Sequence, residues 1–269
     1  MFKPFPWGTL FLHSAIRLST PEQMTPKPPT SNGSEMPKLD SRIDASMVAR
    51  VFKQYGRAHI SGVLEDWSAK KAYEALQAET PWRRTLYNQE GARDLGYSST
   101  TDLEEDLLAL LAIDNLPPGV FSYRYRNFRI DEAYEQEAHR HRYLMRFFEF
   151  LNSEPFLAFA RAVTGVSEIA FADAQATLYR SGDFLSVHDD NVAGKKRYAA
   201  YVFNFTPIWR PEWGGFLAFP DEFGHFHEAF APSFNVLNLL RVPTPHLVTQ
   251  VASMAQEGRY SITGWLRGK

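Results

Sequence analysis

From residue 168 onward the chain is a succession of short β-rich runs separated by turn residues. The runs cover 168–180, 184–188, 197–205, 216–219, 234–241, 246–251 and 259–266. Turn sequences such as Ser181-Gly182-Asp183 and Trp213-Gly214-Gly215 lie between them. Many short strands with this spacing are typical of a sandwich or barrel, because the apolar side of one sheet must be covered by another. We therefore predict a jelly roll of two facing sheets.

Helical patterns dominate the segment that precedes these strands. Asp44 can cap a helix whose apolar stripe is Met47, Val48, Val51, Phe52 and Tyr55. The prediction continues with a strand at 58–64, a helix at 68–79, a helix after the capping box Thr101–Glu104, a strand at 120–130 and two helices within 132–164 that part near Pro155. This order predicts an α+β domain at 40–269, with helical support at 40–165 and a β core at 166–269.

Residues 1–39 differ in composition from the rest, since they contain seven of the 17 prolines of the chain. We predict a disordered or linker extension there. Met24 and Met36 are alternative candidates for the physiological start. No stretch approaches the ~20 apolar residues that span a bilayer, and we expect a cytoplasmic protein.

Composition narrows the chemistry. The chain has no cysteine, which excludes disulfides, thiolate metal sites and iron–sulfur clusters. Any metal must be held by nitrogen and oxygen, and histidine with carboxylate favours iron, manganese or zinc. The net charge of −2 gives no basic surface for nucleic acid or an anionic membrane.

The spacing between His188 and a nearby acidic residue indicates a metal site. Of the eight histidines, only His188 has an acid two residues later, at Asp190, and the pair ends a predicted strand. Side chains at i and i+2 of a strand point to the same face, so these two can bind one ion while Asp189 points away. His246 opens a later strand and can supply a third ligand. Two histidines and one carboxylate form the facial triad of non-haem iron oxygenases.

Arg259 and Ser261 share a face of the last predicted strand. A guanidinium with a neighbouring hydroxyl suits a carboxylate ligand. Together with Tyr179, the triad and the segment WGGFLAFP at 213–220, these residues resemble the iron(II)/2-oxoglutarate-dependent dioxygenases, in particular the prolyl hydroxylase branch. The resemblance covers Ala176 to Leu266. The loop from distal histidine to arginine is longer here than in that family, which leaves Arg267 as a poorer alternative to Arg259.

The resemblance implies a double-stranded β-helix fold and a hydroxylase that uses Fe(II), 2-oxoglutarate and O2, with ascorbate as reductant. It places Fe(II) on His188, Asp190 and His246, and 2-oxoglutarate on Arg259, Tyr179 and Ser261. The expected substrate is a prolyl residue in a peptide or protein.

Several alternatives remain open. A free amino acid or small metabolite is the alternative substrate, and Arg180, Arg197 or Arg241 could pair with its carboxylate. A cupin-like metal protein could use His225 and His227, whereas His139 and His141 fit a solvated helix. A non-catalytic sensor and a demethylase-like oxygenase, which would anchor 2-oxoglutarate on lysine, are further candidates. Trp209 and Trp213 could stack on substrate, although packing is the better explanation.

Overall fold

The computed structural model describes residues 35–88, 91–95, 116–117, 119–137 and 142–269. Its helices are α1 (Ala45–Tyr55), α2 (Asp66–Ala78), α3 (Ile130–Glu135), α4 (Arg142–Leu151) and α5 (Glu154–Thr164). Its strands are β1 (Arg57–Ser61), β2 (Arg83–Asn88), β3 (Gly91–Leu95), β4 (Tyr123–Arg129), β5 (Phe171–Ala172), β6 (Gln175–Tyr179), β7 (Phe184–His188), β8 (Arg197–Asn204), β9 (Leu217–Pro220), β10 (Phe226–Phe230), β11 (Val236–Arg241), β12 (His246–Val248) and β13 (Arg259–Arg267). A short 3-10 helix covers Pro211–Trp213.

The strands form one antiparallel sheet that curls into a jelly roll. Their order is β1-β11-β8-β13-β6-β4-β7-β12-β9-β10, and β2, β3 and β5 pair at its sides. The two end strands meet through side chains: Arg57 Nε donates to Glu228 Oε2 at 2.5 Å, and the rings of His59 and Phe230 lie 4.8 Å apart. The barrel is thus nearly closed, and the predicted jelly roll is confirmed.

Helices α4 and α5 cover the outer face of this sheet with aromatic side chains. Phe147 of α4 meets Phe203 of β8 edge to face, with ring centroids 5.4 Å apart, and Phe156 of α5 meets the same ring at 5.9 Å. All three side chains are buried. The helices therefore buttress the sheet, as the sequence predicts.

Phe147 is a sensitive point of this packing. We expect Phe147→Ala to lower the free energy of unfolding by about 3–5 kcal/mol, because it removes a buried ring and leaves a cavity. Urea unfolding measures the change. Phe223→Ala is the control, since that ring is 77% exposed and its loss should change stability by less than about 0.5 kcal/mol. Equal midpoints for the two variants would contradict this account of the interface.

Helix α1 begins as predicted, since the Asp44 side chain accepts from the backbone N–H groups of Ser46 and Met47. Its apolar stripe is only partly buried. Phe52 faces the core, but Met47 and Tyr55 are 59% and 56% exposed. The helix contacts α5 and β1 along one side only. The predicted apolar stripe is therefore wrong in including Met47 and Tyr55 among the residues that pack on the core.

Other local predictions need correction. The helical region predicted at 132–164 contains a further break after Glu135, where Glu137 adopts a left-handed φ of 53°. The hairpin β2–β3 and the strand β10 were not predicted. The boundary predicted at 39/40 lies slightly late, because Pro37 is already buried and Leu39 forms a β-bridge with Leu64.

Some predictions fall outside the described residues. These are the extension up to residue 34, the capping box Thr101–Glu104 with its helix, and the pair His139 and His141. Among the described residues, no helix is both long enough and apolar enough to span a membrane.

Candidate metal centre

Two neighbouring strands bring His188 and His246 together. His188 ends β7, His246 begins β12, and the two residues are direct partners in the antiparallel ladder. Directly opposed side chains on one face are close neighbours. The two imidazole centroids accordingly lie 4.1 Å apart.

Asp190 reaches both imidazoles from the turn after β7. Its backbone has a left-handed φ of 62°. Its Oδ1 lies 3.5 Å from His188 Nε2, and its Oδ2 lies 3.4 Å from His246 Nε2. One ligand atom from each of the three residues lies within 4.8 Å of the others, and the part of the chain that the structure describes holds no second group of this kind.

The backbone sets the orientation of both rings. His188 Nδ1 lies 3.0 Å from the Ser186 carbonyl oxygen, and His246 Nδ1 lies 2.8 Å from that of Thr244. A carbonyl oxygen only accepts, so each Nδ1 donates its proton. Each Nε2 then keeps its lone pair for an ion, which is the usual arrangement of histidine ligands.

The protonation states also suit a metal. Burial and the neighbouring His188 lower the pKa of His246 to about 4. Burial would raise the pKa of Asp190, but the adjoining His188 and His246 side chains outweigh it and lower that pKa. At neutral pH the site offers a neutral imidazole at His246 and an ionised carboxylate. Two imidazoles and one carboxylate fit iron(II).

Arg259 lies in the same cavity with its charge uncompensated by a carboxylate. It is 2% exposed, its Nη1 donates to Ser261 Oγ at 3.3 Å, and its Nε has no hydrogen-bond partner. Burial lowers its pKa. A buried guanidinium is unfavourable without an anionic partner, and none of the described carboxylates pairs with it. The residue therefore fits a ligand that brings its own carboxylate.

Tyr179 and Ser261 flank this arginine in different ways. Tyr179 is the ladder partner of Arg259, lines the cavity, and has the Arg259 guanidinium 5.1 Å from its ring centroid. Burial raises the pKa of Tyr179, so its hydroxyl remains a donor. Ser261 does not line the cavity; its Oγ donates to Asn204 Oδ1 at 3.1 Å and supports Arg259 from behind.

The cavity has a volume of about 480 Å³, within the usual range for small-molecule sites. The apolar residues of its lining include Ala200, Val202, Leu217, Leu240 and Val248. Polar side chains also line it, among them Asn127, Arg129, Gln175, Thr177 and Thr263, the last of which lies beside Val202 in the ladder between β8 and β13. The cavity is thus lined by both apolar and polar side chains.

Sequence reasoning missed Trp265, which lines the cavity. The signal was present, because Arg259, Ser261, Thr263 and Trp265 follow the period of two that puts side chains on one face. Trp209 and Trp213 do not line the cavity; they pack on each other edge to face with centroids 5.3 Å apart.

The remaining candidates lie elsewhere. His225 and His227 are exposed and lie 3.5 and 3.7 Å from the Asp221 carboxylate. A polar turn was expected for both, but only His225 precedes β10, and His227 lies within that strand. Arg180 and Arg241 are exposed and do not line the cavity, whereas Arg197 does. Arg267 donates to the Lys195 carbonyl oxygen at 2.9 Å and lies outside the cavity. Asp189 lines the cavity rim rather than pointing away, and its carboxylate accepts from the Asn191 N–H.

Comparison with known proteins points in one direction. Residues 174–267 match the family model described as the 2OG-Fe(II) oxygenase superfamily. The chain is also 30% identical over 122 residues to prolyl 3-hydroxylase OGFOD1 of Mus musculus. That match covers 43% of this chain and 22% of the mouse protein, so the chain spans only about a fifth of this curated relative.

Solved structures share the fold. A prolyl-4-hydroxylase of Pseudomonas putida has a TM-score of 0.51 at 15% identity, over 84% of this chain and 99% of that one. A prolyl hydroxylase of Trichoplax adhaerens, in complex with a hypoxia inducible factor oxygen degradation domain peptide fragment, has a TM-score of 0.56 at 14% identity. That alignment covers 83% of this chain and 89% of the other.

Proposed function

We propose that this chain is an iron(II)- and 2-oxoglutarate-dependent dioxygenase that hydroxylates a prolyl residue in a peptide or protein. Residues 174–267 match the 2OG-Fe(II) oxygenase family model, and the chain is similar over 122 residues to a prolyl 3-hydroxylase. The observation that carries the proposal is the presence of two complementary groups in one cavity. These are the cluster His188, Asp190 and His246, and the buried Arg259 that lacks a carboxylate partner among the described residues.

In this proposal His188, Asp190 and His246 hold the iron(II). The ion, when bound, supplies the activation of dioxygen that no amino-acid side chain provides. The protein contributes orientation: the carbonyl oxygens of Ser186 and Thr244 fix the imidazoles, and the ladder between β7 and β12 fixes their separation.

Arg259 is the proposed partner of the distal carboxylate of 2-oxoglutarate. A guanidinium pairs with a carboxylate through two parallel hydrogen bonds, and its unpartnered Nε offers one donor for this. Tyr179 can donate a further hydrogen bond from its hydroxyl. The role of Ser261 is to position Arg259, since its Oγ lies between that arginine and Asn204.

Two features support a peptide substrate. The apolar side chains of the cavity lining suit a pyrrolidine ring, while the amides of Asn127 and Gln175 in the same lining can exchange hydrogen bonds with peptide groups. The relatives add support by analogy, since they are prolyl hydroxylases and one was solved with a peptide.

A small-molecule substrate is the second candidate, favoured by one observation. Arg197 lines the cavity and is the one member of the three predicted carboxylate partners that does so. Against it, a free amino acid also needs a carboxylate for its ammonium group. Among the described residues, the carboxylates that line the cavity are Asp190, assigned to the metal, and Asp189 at the rim.

Mass spectrometry separates these candidates. The enzyme, with iron(II) and 2-oxoglutarate, is incubated with a peptide extract and separately with a metabolite extract, and the His188→Ala variant serves as blank. A gain of one oxygen on proline-containing peptides is the expected result. Oxygen found only in small metabolites would refute the prolyl substrate and leave the cofactor assignment in place.

The alternative of a sensor or cupin-like protein can be tested by a binding measurement that needs no catalytic turnover. Anaerobic addition of iron(II) and 2-oxoglutarate should give a weak visible charge-transfer band only if both bind at one centre. A demethylase-like anchor on lysine is not favoured, since no described lysine lines the cavity.

A further inference from the structure

Asp190 holds a strained backbone conformation. Its φ of 62° lies in the left-handed region, which residues other than glycine seldom occupy. Such strain persists when the surroundings hold it in place, and it often serves a site. The loop that follows cannot do this by burial, because residues 191–196 are exposed.

The Arg197 side chain binds the backbone of this turn. Its Nη1 donates to the backbone carbonyl oxygen of Asp190 at 3.1 Å. Its guanidinium lies over the indole of Trp265, 3.5 Å from the ring centroid. A planar guanidinium has all its N–H donors in its own plane, so stacking on the indole fixes that plane and with it the direction of the hydrogen bond.

Hydrogen bonds also fix Trp265, on which Arg197 stacks, and the loop that precedes Arg197. The backbone N–H of Trp265 donates to Asp173 Oδ1 at 2.7 Å, which secures the position of the indole in β13. The loop is tied to the end of the same strand. Arg267 Nε donates to the Lys195 carbonyl oxygen at 2.9 Å, and Gly268 N–H donates to that of Lys196 at 3.1 Å.

We propose that Arg197 is a positioning residue that holds Asp190 in its left-handed turn, and so aims the carboxylate at the two imidazoles. The inference rests on the proposed function, since it takes Asp190 as a metal ligand. In the structure Arg197 contacts the backbone of that ligand rather than its carboxylate. Its loss should therefore weaken the metal site without removing any donor atom.

The obvious competing role for Arg197 is contact with substrate, because it also lines the cavity. Metal binding to the metal-free protein distinguishes the two roles, since no substrate is present in that measurement. Cobalt(II) is the probe, because its visible spectrum reports the geometry of its ligands.

The test compares Arg197→Leu, Arg197→Lys and the control Arg210→Leu in cobalt(II) titrations of the metal-free full chain. Arg210 is a matched control, since its guanidinium also lies over a tryptophan, Trp213 at 5.9 Å, away from the cavity. We expect Arg197→Leu to raise the Kd for cobalt(II) by about tenfold, as loss of groups that orient metal ligands commonly does. Arg197→Lys should fall between it and the wild type, and Arg210→Leu should match the wild type.

Three readouts keep the result interpretable. Circular dichroism of the metal-free variants checks that they fold. If Arg197→Leu is unfolded, the Arg197→Lys variant is used in its place. A cobalt(II) Kd and spectrum of that variant equal to those of the wild type would then overturn the inference. Turnover by Arg197→Leu should largely return at saturating iron(II). A wild-type Kd and spectrum, with a loss of turnover that saturating iron does not repair, would assign Arg197 to substrate and overturn it. Failure of the wild type to bind cobalt(II) would instead overturn the proposed function.

Discussion

Replacing His188, Asp190 or His246 by alanine is expected to lower 2-oxoglutarate-dependent succinate formation by more than about 100-fold. Changes to groups that merely orient metal ligands cost about 10- to 100-fold, so the loss of a ligand should exceed that range. The fold should survive, since an open catalytic site does not hold the core together in the way a structural zinc site does. We expect the free energy of unfolding of the metal-free protein to change by less than about 2 kcal/mol.

The measurement is succinate release at fixed iron(II), combined with urea unfolding of each metal-free variant. His227→Ala is the control, because it removes an exposed imidazole that lies outside the cavity. Succinate release at the wild-type rate from any of the three variants would remove that residue from the proposed ligand set. Unfolding of all three would show that the site has a structural role instead.

The period of two along strands explains how much of this site can be predicted from sequence. Arg259 and Ser261 are two residues apart on β13 and share a face, as predicted. His188 and Asp190 are also two residues apart, but Asp190 lies beyond the end of β7 and reaches the site through a left-handed backbone that the period of two does not predict. Pairing across strands is different, because register is a tertiary property. His246 was predicted from its place in a strand, yet only the ladder shows that it lies directly opposite His188.

The predictions failed where local pattern and tertiary context diverge. The residues of β10 are mostly exposed, so its sequence has no apolar alternation to reveal a strand. Val51 of α1 matches the period of a buried helix face but is exposed, because the helix meets its neighbours along one side only. Arg197 could be recognised only as a possible cavity residue, since its contact with the Asp190 carbonyl depends on the path of a loop.

Arg259→Ala is expected to raise the KM for 2-oxoglutarate while it leaves iron affinity nearly unchanged. A desolvated, charge-assisted pair costs on the order of 2–5 kcal/mol when one partner is removed. At 1.36 kcal/mol for each factor of ten, this predicts an increase of roughly 30-fold or more. Tyr179→Phe should cost only about 0.5–1.5 kcal/mol, the value of one neutral hydrogen bond.

Arg267→Ala is the control that decides the register of the last strand. Arg267 lies outside the cavity, where it binds the Lys195 carbonyl oxygen and lies 3.4 Å from Asp173 Oδ2. Its loss should leave the KM for 2-oxoglutarate within about twofold of wild type, because Arg267 lies at the opposite end of β13 from Arg259. If Arg267→Ala raised that KM more than Arg259→Ala did, the co-substrate would have to bind at the other end of β13. The burial of Arg259 without an anionic partner would then need a different explanation.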